Sequence, residues 1–386
     1  MDEVVEAHKK EYGEAPDVVA VAPGRFHLIG EHSWFFKDKT LSMAVNLPVY
    51  VAVSRRDDSN LRFRFVQLDD SKRASLSSLK FRKEDKWCNS IKGVYYNLME
   101  EGIKPGAFEV VLEGEVLKSD GPLLSAAISV GLSLALRKAM TLKISDDQLA
   151  LLCFKVCTMF CSENTKYSTI KTMMDAEEGK FLLFDLGTMS YTEIEDPFPE
   201  SKQRMLMVDC RIPPEAMRDE IRHRHEQASA AFRLLRVRAP HFPIRDFPIS
   251  ELRDRMIPVD EETRRLCSAV LEDSMAAVGM QKAFERKDCI QIGRSLGRIG
   301  KMIRDDLELS CPEMDWMVKR ASEVPLCYGA GVLFNGISAY VLLVMEESSV
   351  ELYKAKLEDY EHIFGFKAEV SVLAPGRGWT LVSQVS

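Results

Sequence analysis

The sequence predicts an α+β protein built as two lobes, and three observations carry that expectation. Short β-rich runs are followed by long helical stretches, and the same order then repeats. At 386 residues the chain is long enough for two domains that share a cleft. Prolines and charges cluster at "EDPFPESKQ" between the two series, which divides the chain into residues 1–198 and 199–386.

The first series contains "VVAVAP", "VYVAVS", "LRFRFV" and "FEVVLEG". Their β-branched and aromatic residues, bounded by turn formers, read as strands. "GPLLSAAISVGLSLALRKAM" and "SDDQLALLCFKVCTMFCSEN" read as helices. Ser145 is a natural N-cap for the second, with acids in its first turn. "KFLLFDLG" returns to a strand. The second series starts with the apolar strand "RMLMVDCRI" and runs through the helical "EQASAAFRLLRVRA" and "CIQIGRSLGRIGKMIRDDLE". It ends in the strands "GISAYVLLVM" and "FKAEVSVLAP".

Composition is ordinary for a globular protein, with 46% hydrophobic and 29% charged residues. A net charge of −7 argues against a general nucleic-acid surface, which requires a basic field. The richest basic stretch, Arg218 to Arg238, interleaves glutamates and apolar residues and reads as a solvated amphipathic helix. The charged amino terminus shows no signal-peptide run. The uncharged stretch Val324 to Met345 contains Pro325, glycines and Asn335, so it reads as a loop plus a buried strand, and no membrane span is expected. Nine cysteines, an odd number without a CxxC pair, suit a reducing cytoplasm. Cys153, Cys157 and Cys161 recur on one helical face. With no histidine at ligand spacing they read as core thiols, not as a metal site. Coiled-coil heptads are absent, and a monomer is expected.

Several common catalytic signatures are missing. There is no Walker phosphate loop, no G-x-G-x-x-G after a strand, no H-E-x-x-H and no G-x-S-x-G. What the chain does carry is an ordered series of blocks: "APGRFHLIGEH", "KWCNSIKGV", "GEVLKSDGPLLSAA", "SENTKYSTIKTMMDA", "RDDLELSCPEMDWMV" and "YGAGVLFNGISAYVLLV". In their order they resemble the motifs of galactokinases, members of the GHMP family of small-molecule kinases. The resemblance covers nearly the whole chain. It implies a two-lobed GHMP kinase fold with a cleft between lobes. The N-terminal lobe would be of the ribosomal protein S5 domain 2-like type and the C-terminal lobe ferredoxin-like α/β.

The resemblance also implies site residues. Galactokinases flank the attacking sugar hydroxyl with an arginine that stabilises charge and an aspartate that accepts or orients the proton. Arg25 matches the arginine, and Asp175 matches the aspartate if "TMMDA" aligns with the family's G-I-M-D-Q. The segment after it is shorter here, which leaves a surface acid as the other reading of Asp175. Glu31 and His32 match sugar-pocket residues. Trp34 stands where the family has an aspartate, Phe35 and Phe36 follow it, and Asp219 replaces a sugar-contacting tyrosine. Each sugar hydroxyl left unpaired would cost about 1–3 kcal/mol. The aromatic residues therefore read as filling a vacated cavity, with an aromatic sugar platform as the other reading.

At the phosphate loop, Ser119 stands for the first glycine, Gly121 is kept, and Leu123 and Leu124 replace two serines. Ser125 remains to hold phosphate and Mg²⁺. Asp120 adds a carboxylate that, about 5 Å from one phosphate charge, would repel it by about 3 kcal/mol at an effective dielectric of about 20. In the third motif only Gly336 is kept among Leu333, Phe334 and Ile337. Trp87 lies near the family's nucleotide pocket, where it could stack on a base or pack between a helix and a sheet.

Two functions are compatible with this pattern. Altered ligand contacts in an intact frame predict lost or strongly weakened ATP-dependent sugar phosphorylation. The protein would then be a ligand sensor or partner-binding scaffold that needs no cofactor. Arg25, Glu31, Ser125 and Asp175 support the alternative of an active kinase. It would use ATP and Mg²⁺ to phosphorylate galactose, a related sugar or polyol, or a less polar acceptor.

Overall fold

The computed structural model describes residues 2–30, 39–114, 121–238, 260–335 and 338–382. They form two compact units, each assembled from separate stretches of sequence. The first comprises Met1–Arg25, Ala44–Glu178 and Pro375–Ser386, and the second Phe26–Met43 and Gly179–Ala374.

In the first unit, helix α1 (Asp2–Tyr12) precedes β1 (Val18–Ile29) and β2 (Lys39–Arg56). The next strands, β3 (Asn60–Phe65) and β4 (Asp70–Ser75), form a hairpin. Helix α2 (Cys88–Glu100) leads to β5 (Ala107–Gly114), which runs antiparallel to β2 and parallel to β3. A parallel pair requires a crossover, and β4 with α2 supplies it. In β3 the expected alternation holds: Leu61, Phe63 and Phe65 are buried, while Arg62 and Arg64 face outward.

Helix α3 (Gly121–Ala139) is apolar nearly all round and largely buried. Helix α4 (Asp146–Lys155) starts where its cap predicts. The Ser145 hydroxyl accepts the Gln148 amide, and the Gln148 side chain accepts the Ser145 amide in return. A π-helical turn over Val156–Phe160 and helix α5 (Tyr167–Asp175) follow. Cys153, Cys157 and Cys161 are buried free thiols. Burial pushes Cys153 and Cys161 up to about 12, which keeps them protonated at neutral pH.

In the second unit, β6 (Lys180–Asp185) pairs with β7 (Ser190–Glu195) and with the start of β2 along Lys39–Ser42. Strand β8 (Gln203–Asp209) is followed by α6 (Pro214–Arg238), α7 (Glu261–Glu285), α8 (Cys289–Asp305) and α9 (Pro312–Ser322). Next come the hairpin β9 (Cys327–Asn335) and β10 (Ser338–Glu346), then α10 (Val350–Lys356), α11 (Glu358–Phe364) and β11 (Glu369–Val372). The sheet order β11-β8-β10-β9 is antiparallel throughout. Strand, helices, two strands, helices, strand in that spatial order is the ferredoxin-like arrangement expected for this half.

Two details refine the sequence reading. Val324 to Met345 holds two strands, not one, and no described helix is long and apolar enough to cross a membrane. The glycines of "YGAGV" serve packing. A Cβ on Gly331 would lie 2.4 Å from the Leu296 oxygen, and one on Gly300 only 2.2 Å from the Gly331 Cα, so α8 and β9 meet backbone to backbone. The last strand, β12 (Thr380–Val382), returns to β1 with Val382 opposite Val19. The punctuation at 198/199 falls between β7 and β8. The compact units cut the chain differently because Lys39–Ser42 and the chain end follow their strand partners.

Candidate active site

Ser125 lies one turn into α3 and is 6% exposed. Its Oγ donates a 2.9 Å hydrogen bond to Glu163 Oε1, from the short segment between the π-helical turn and α5. The other oxygen, Glu163 Oε2, is closed off from solvent and has no hydrogen-bond partner among the described residues. Thr165 Oγ1 and Ser168 Oγ, just downstream, are in the same condition. Burial pushes the Glu163 carboxyl up to about 7, while the Ser125 hydroxyl pulls it down.

Buried polar atoms are nearly always paired, so such a group points to something that completes it. Mg²⁺ favours hard oxygens and takes few from protein, the rest coming from phosphates and water. Ser125 and Glu163 therefore fit the metal that the resemblance implies at Ser125.

Leu123 and Leu124, which replace two serines, are 8% and 9% exposed and belong to the apolar core of the first unit. Their bulk is packed inward with Ala126, Ala127 and Ile128. Ser119, Asp120, Gly336, Glu31, His32 and Trp34, together with Phe35 and Phe36, lie outside the described residues.

Arg25 sits on β1, 3% exposed. Asp175 closes α5. Lys171, one turn earlier, pairs with it at 2.5 Å and also reaches Asp147 at 3.0 Å. The Lys171 and Asp175 side chains are only 12% and 16% exposed, so Asp175 is no surface acid. Burial pulls the Lys171 ammonium down, but the two carboxylates outweigh it and leave it above its ordinary range. The end of α5 is held by the terminal "APGRGW" block. Trp379 N donates to Met173 O, and Gly378 N to Ala176 O, both at 2.7 Å.

Trp87 and Asp219 sit in contrasting surroundings. Trp87 is 5% exposed, its Nε1 donates to Asp70 Oδ2 at 3.0 Å, and its ring meets Phe65 edge-on. The indole packs between helix and sheet, one of its two sequence readings, and is held by a polar partner that the local sequence did not reveal. Asp219 has an 82% exposed side chain paired with Arg222 at 2.8 Å. That is an exposed ion pair on α6.

The galactose-binding signature of galactokinases matches residues 6–55. A Treponema pallidum protein, itself named galactokinase only provisionally, is 28% identical over 95% of this chain and 93% of its own length. The Streptomyces coelicolor galactokinase is also 28% identical, over 95% and 94%. The crystal structure of Lactococcus lactis galactokinase complexed with galactose matches with a TM-score of 0.86 at 19% identity, covering 98% of this chain and 99% of that one. The chain is thus similar to galactokinases over nearly its whole length and shares the fold of that structure.

Sequence reasoning missed three largely enclosed polar residues. Glu163 stood inside "SENTKYSTIKTMMDA" without being singled out, although it is an acid between two largely apolar helices. Lys171 was hidden by the alignment of that same block. Asp273, 3% exposed on α7, accepts the Gly30 amide at 3.1 Å. Its sequence signal was an acid placed on the apolar stripe Leu266, Val270, Ala277 and Met280.

Proposed function

We propose that this chain is an active ATP-dependent small-molecule kinase, transferring the γ-phosphoryl group of ATP to a hydroxyl of a sugar or of a less polar acceptor. The observation that carries this reading is the buried Glu163 Oε2 beside Ser125, which has no hydrogen-bond partner among the described residues. Keeping a carboxylate in that condition is costly. A scaffold with no metal–nucleotide to bind would be more stable with an apolar residue there. The inward packing of Leu123 and Leu124 supports the same reading, because bulk in the core does not fill a phosphate site.

Each retained residue then has a task. Ser125 and Glu163 hold Mg²⁺, which when bound neutralises phosphate charge. Arg25 stabilises charge on the phosphoryl group in flight, and Asp175 accepts or orients the acceptor's proton. The galactose-binding signature, and the galactose in the Lactococcus lactis structure, support a sugar-like acceptor. Trp34 in place of an acidic residue favours an acceptor with fewer hydroxyls than galactose.

One observation favours the second reading, a ligand sensor or partner-binding scaffold. The Lys171–Asp175 ion pair occupies the carboxylate that should receive a proton. A coupled ADP-release assay with Mg-ATP, run across galactose, deoxysugars and polyols, separates the two. Acceptor-stimulated turnover of about 1 s⁻¹ or more, lost on chelating Mg²⁺, is expected. No acceptor-dependent release across the panel, with no thermal stabilisation by Mg-ATP, would return the chain to the scaffold reading.

A further inference from the structure

We propose that helix α1 is an acid-sensitive latch on the first unit's sheet, held shut by the hydrogen bond between His8 and Ser54. Side chains along β1 and β2 alternate between two faces. Val18, Ala20, Val51 and Val53 join the large core, while Val19 and Ala52 point the other way. Helix α1 covers that second face, where Val4 packs with Val19, Ala52 and Val111. One turn on, His8 is fully buried. Its Nδ1 lies 2.9 Å from the Glu14 carbonyl oxygen and its Nε2 3.0 Å from Ser54 Oγ, and its ring meets Tyr12 edge-on. A carbonyl oxygen only accepts, so Nδ1 carries the proton and Nε2 of the neutral ring accepts from the Ser54 hydroxyl. Two further ties of α1 to the sheet, from Glu11 to Ser71 at 3.4 Å and to Arg64 at 3.7 Å, lie nearer the surface and hold loosely. Gly13 follows the helix with φ +88 and nothing within 4 Å of where a Cβ would stand, which suits a hinge.

One proton changes this arrangement. A protonated ring donates from both nitrogens, so Ser54 must turn its hydrogen away, towards Glu109 Oε2 at 3.4 Å. Ser54 and Glu109 stand opposite each other on β2 and β5. Glu109 is already engaged by Arg56 from β2 and, at 3.6 Å, by Arg62 from β3. Asp17, ahead of β1, accepts the Arg55 amide at 2.8 Å, and α1 itself contributes Glu11 and Tyr12. An imidazolium would therefore be buried beside a carboxylate whose charge two guanidiniums already offset. Burial pulls His8 below its ordinary 6.5, outweighing the Glu14 carbonyl and the Glu109 and Asp17 carboxylates. The latch is at full strength above about 6.5 and weakens as pH falls through the lower folded value. Glu163, which titrates in the same range, acts on stability with the opposite sign. Opening bares Val19, Ala52 and Val111, an apolar surface otherwise kept from water. None of this depends on the kinase reading.

Amide hydrogen exchange of the full chain at about pH 7.5 and about pH 5.5, each corrected for intrinsic exchange rates, tests the latch. Peptides covering α1 are expected to exchange about threefold to tenfold faster at the lower pH, while those covering β8 to β10 hold within about twofold. Tenfold is about the ceiling, because the opened helix carries an ordinary histidine. His8→Gln does not titrate, so its α1 ratio between the two pH values should shrink to about twofold or less, whatever its exchange at neutral pH. If His8→Gln does not fold, His8→Asn carries the same test with the same outcomes. A wild-type α1 ratio near one overturns the proposal. So does an undiminished ratio in the variant. An equal rise in β8 to β10 would mark general unfolding and overturn it too.

Discussion

Ser125 Oγ and Glu163 Oε1 are 38 residues apart in sequence and 2.9 Å apart in the fold. The bond joins the start of α3 to the segment before α5 and leaves Glu163 Oε2 buried without a hydrogen-bond partner among the described residues. The altered phosphate loop reads differently once this pair is recognised. The two lost serines left Ser125 in place, and it is Ser125 that faces Glu163.

Replacing Glu163 by glutamine should therefore separate stability from binding. Glu163→Gln removes a buried acid and is expected to raise the thermal midpoint of the ligand-free protein by a few degrees, for about 1 kcal/mol. The same variant should lose most of the stabilisation that Mg-ATP gives the wild type. Differential scanning fluorimetry with and without Mg-ATP checks both halves. Retained Mg-ATP stabilisation in Glu163→Gln would remove the carboxylate from the metal site.

The pH dependence follows with a definite sign. The folded Glu163 carboxyl sits at about 7, above its ordinary 4.5, because burial favours the neutral form. Its contribution to stability is therefore complete below about 4.5 and is lost as pH rises through about 7. Urea denaturation of the ligand-free protein should show this decline, and Glu163→Gln should flatten it. Mg-ATP competes with the same proton, so its stabilising effect should grow between pH 6 and 8, to about tenfold per pH unit in affinity at most.

Lys171 gives a third test. Lys171→Met removes the cation paired with the largely enclosed Asp175 and is expected to destabilise the fold by about 1–3 kcal/mol. If Asp175 handles the acceptor's proton, Asp175→Asn should lower kcat by about a hundredfold or more. Full activity in Asp175→Asn would strip Asp175 of that role.

The packing of α8 on β9 predicts a purely structural effect. Gly300→Ala places a methyl 2.2 Å from the Gly331 Cα, backbone against backbone, where no side chain can yield. A loss of about 1–3 kcal/mol or more is expected from such overpacking, read as a lowered urea midpoint with unchanged slope.

Local chemistry was the legible part of the fold. The Ser145 cap, the alternation of β3 and the repeated strand–helix order each depend on neighbours within a few residues. Val324 to Met345 carries an Asn335–Gly336 pair, a hairpin signal between its two strands that reading the run as one buried strand passed over. The site was legible in residue type and opaque in pairing. Ser125 was identified from the phosphate block, but its partner Glu163 depends on how the chain returns before α5. Trp87 was ambiguous because Asp70 and Phe65, which enclose it, lie on other strands. The Asp273–Gly30 bond spans 243 residues, a separation at which one sequence carries no pairing signal.

The most direct measurement is ³¹P NMR of the wild-type protein with Mg-ATP and the panel of hydroxyl acceptors. The account predicts a new phosphate-ester resonance growing in step with ADP, absent without Mg²⁺ and reduced about a hundredfold or more in Ser125→Ala with Glu163→Gln. ATP left intact beside every acceptor, by a protein whose folded state Mg-ATP does not stabilise, would contradict it.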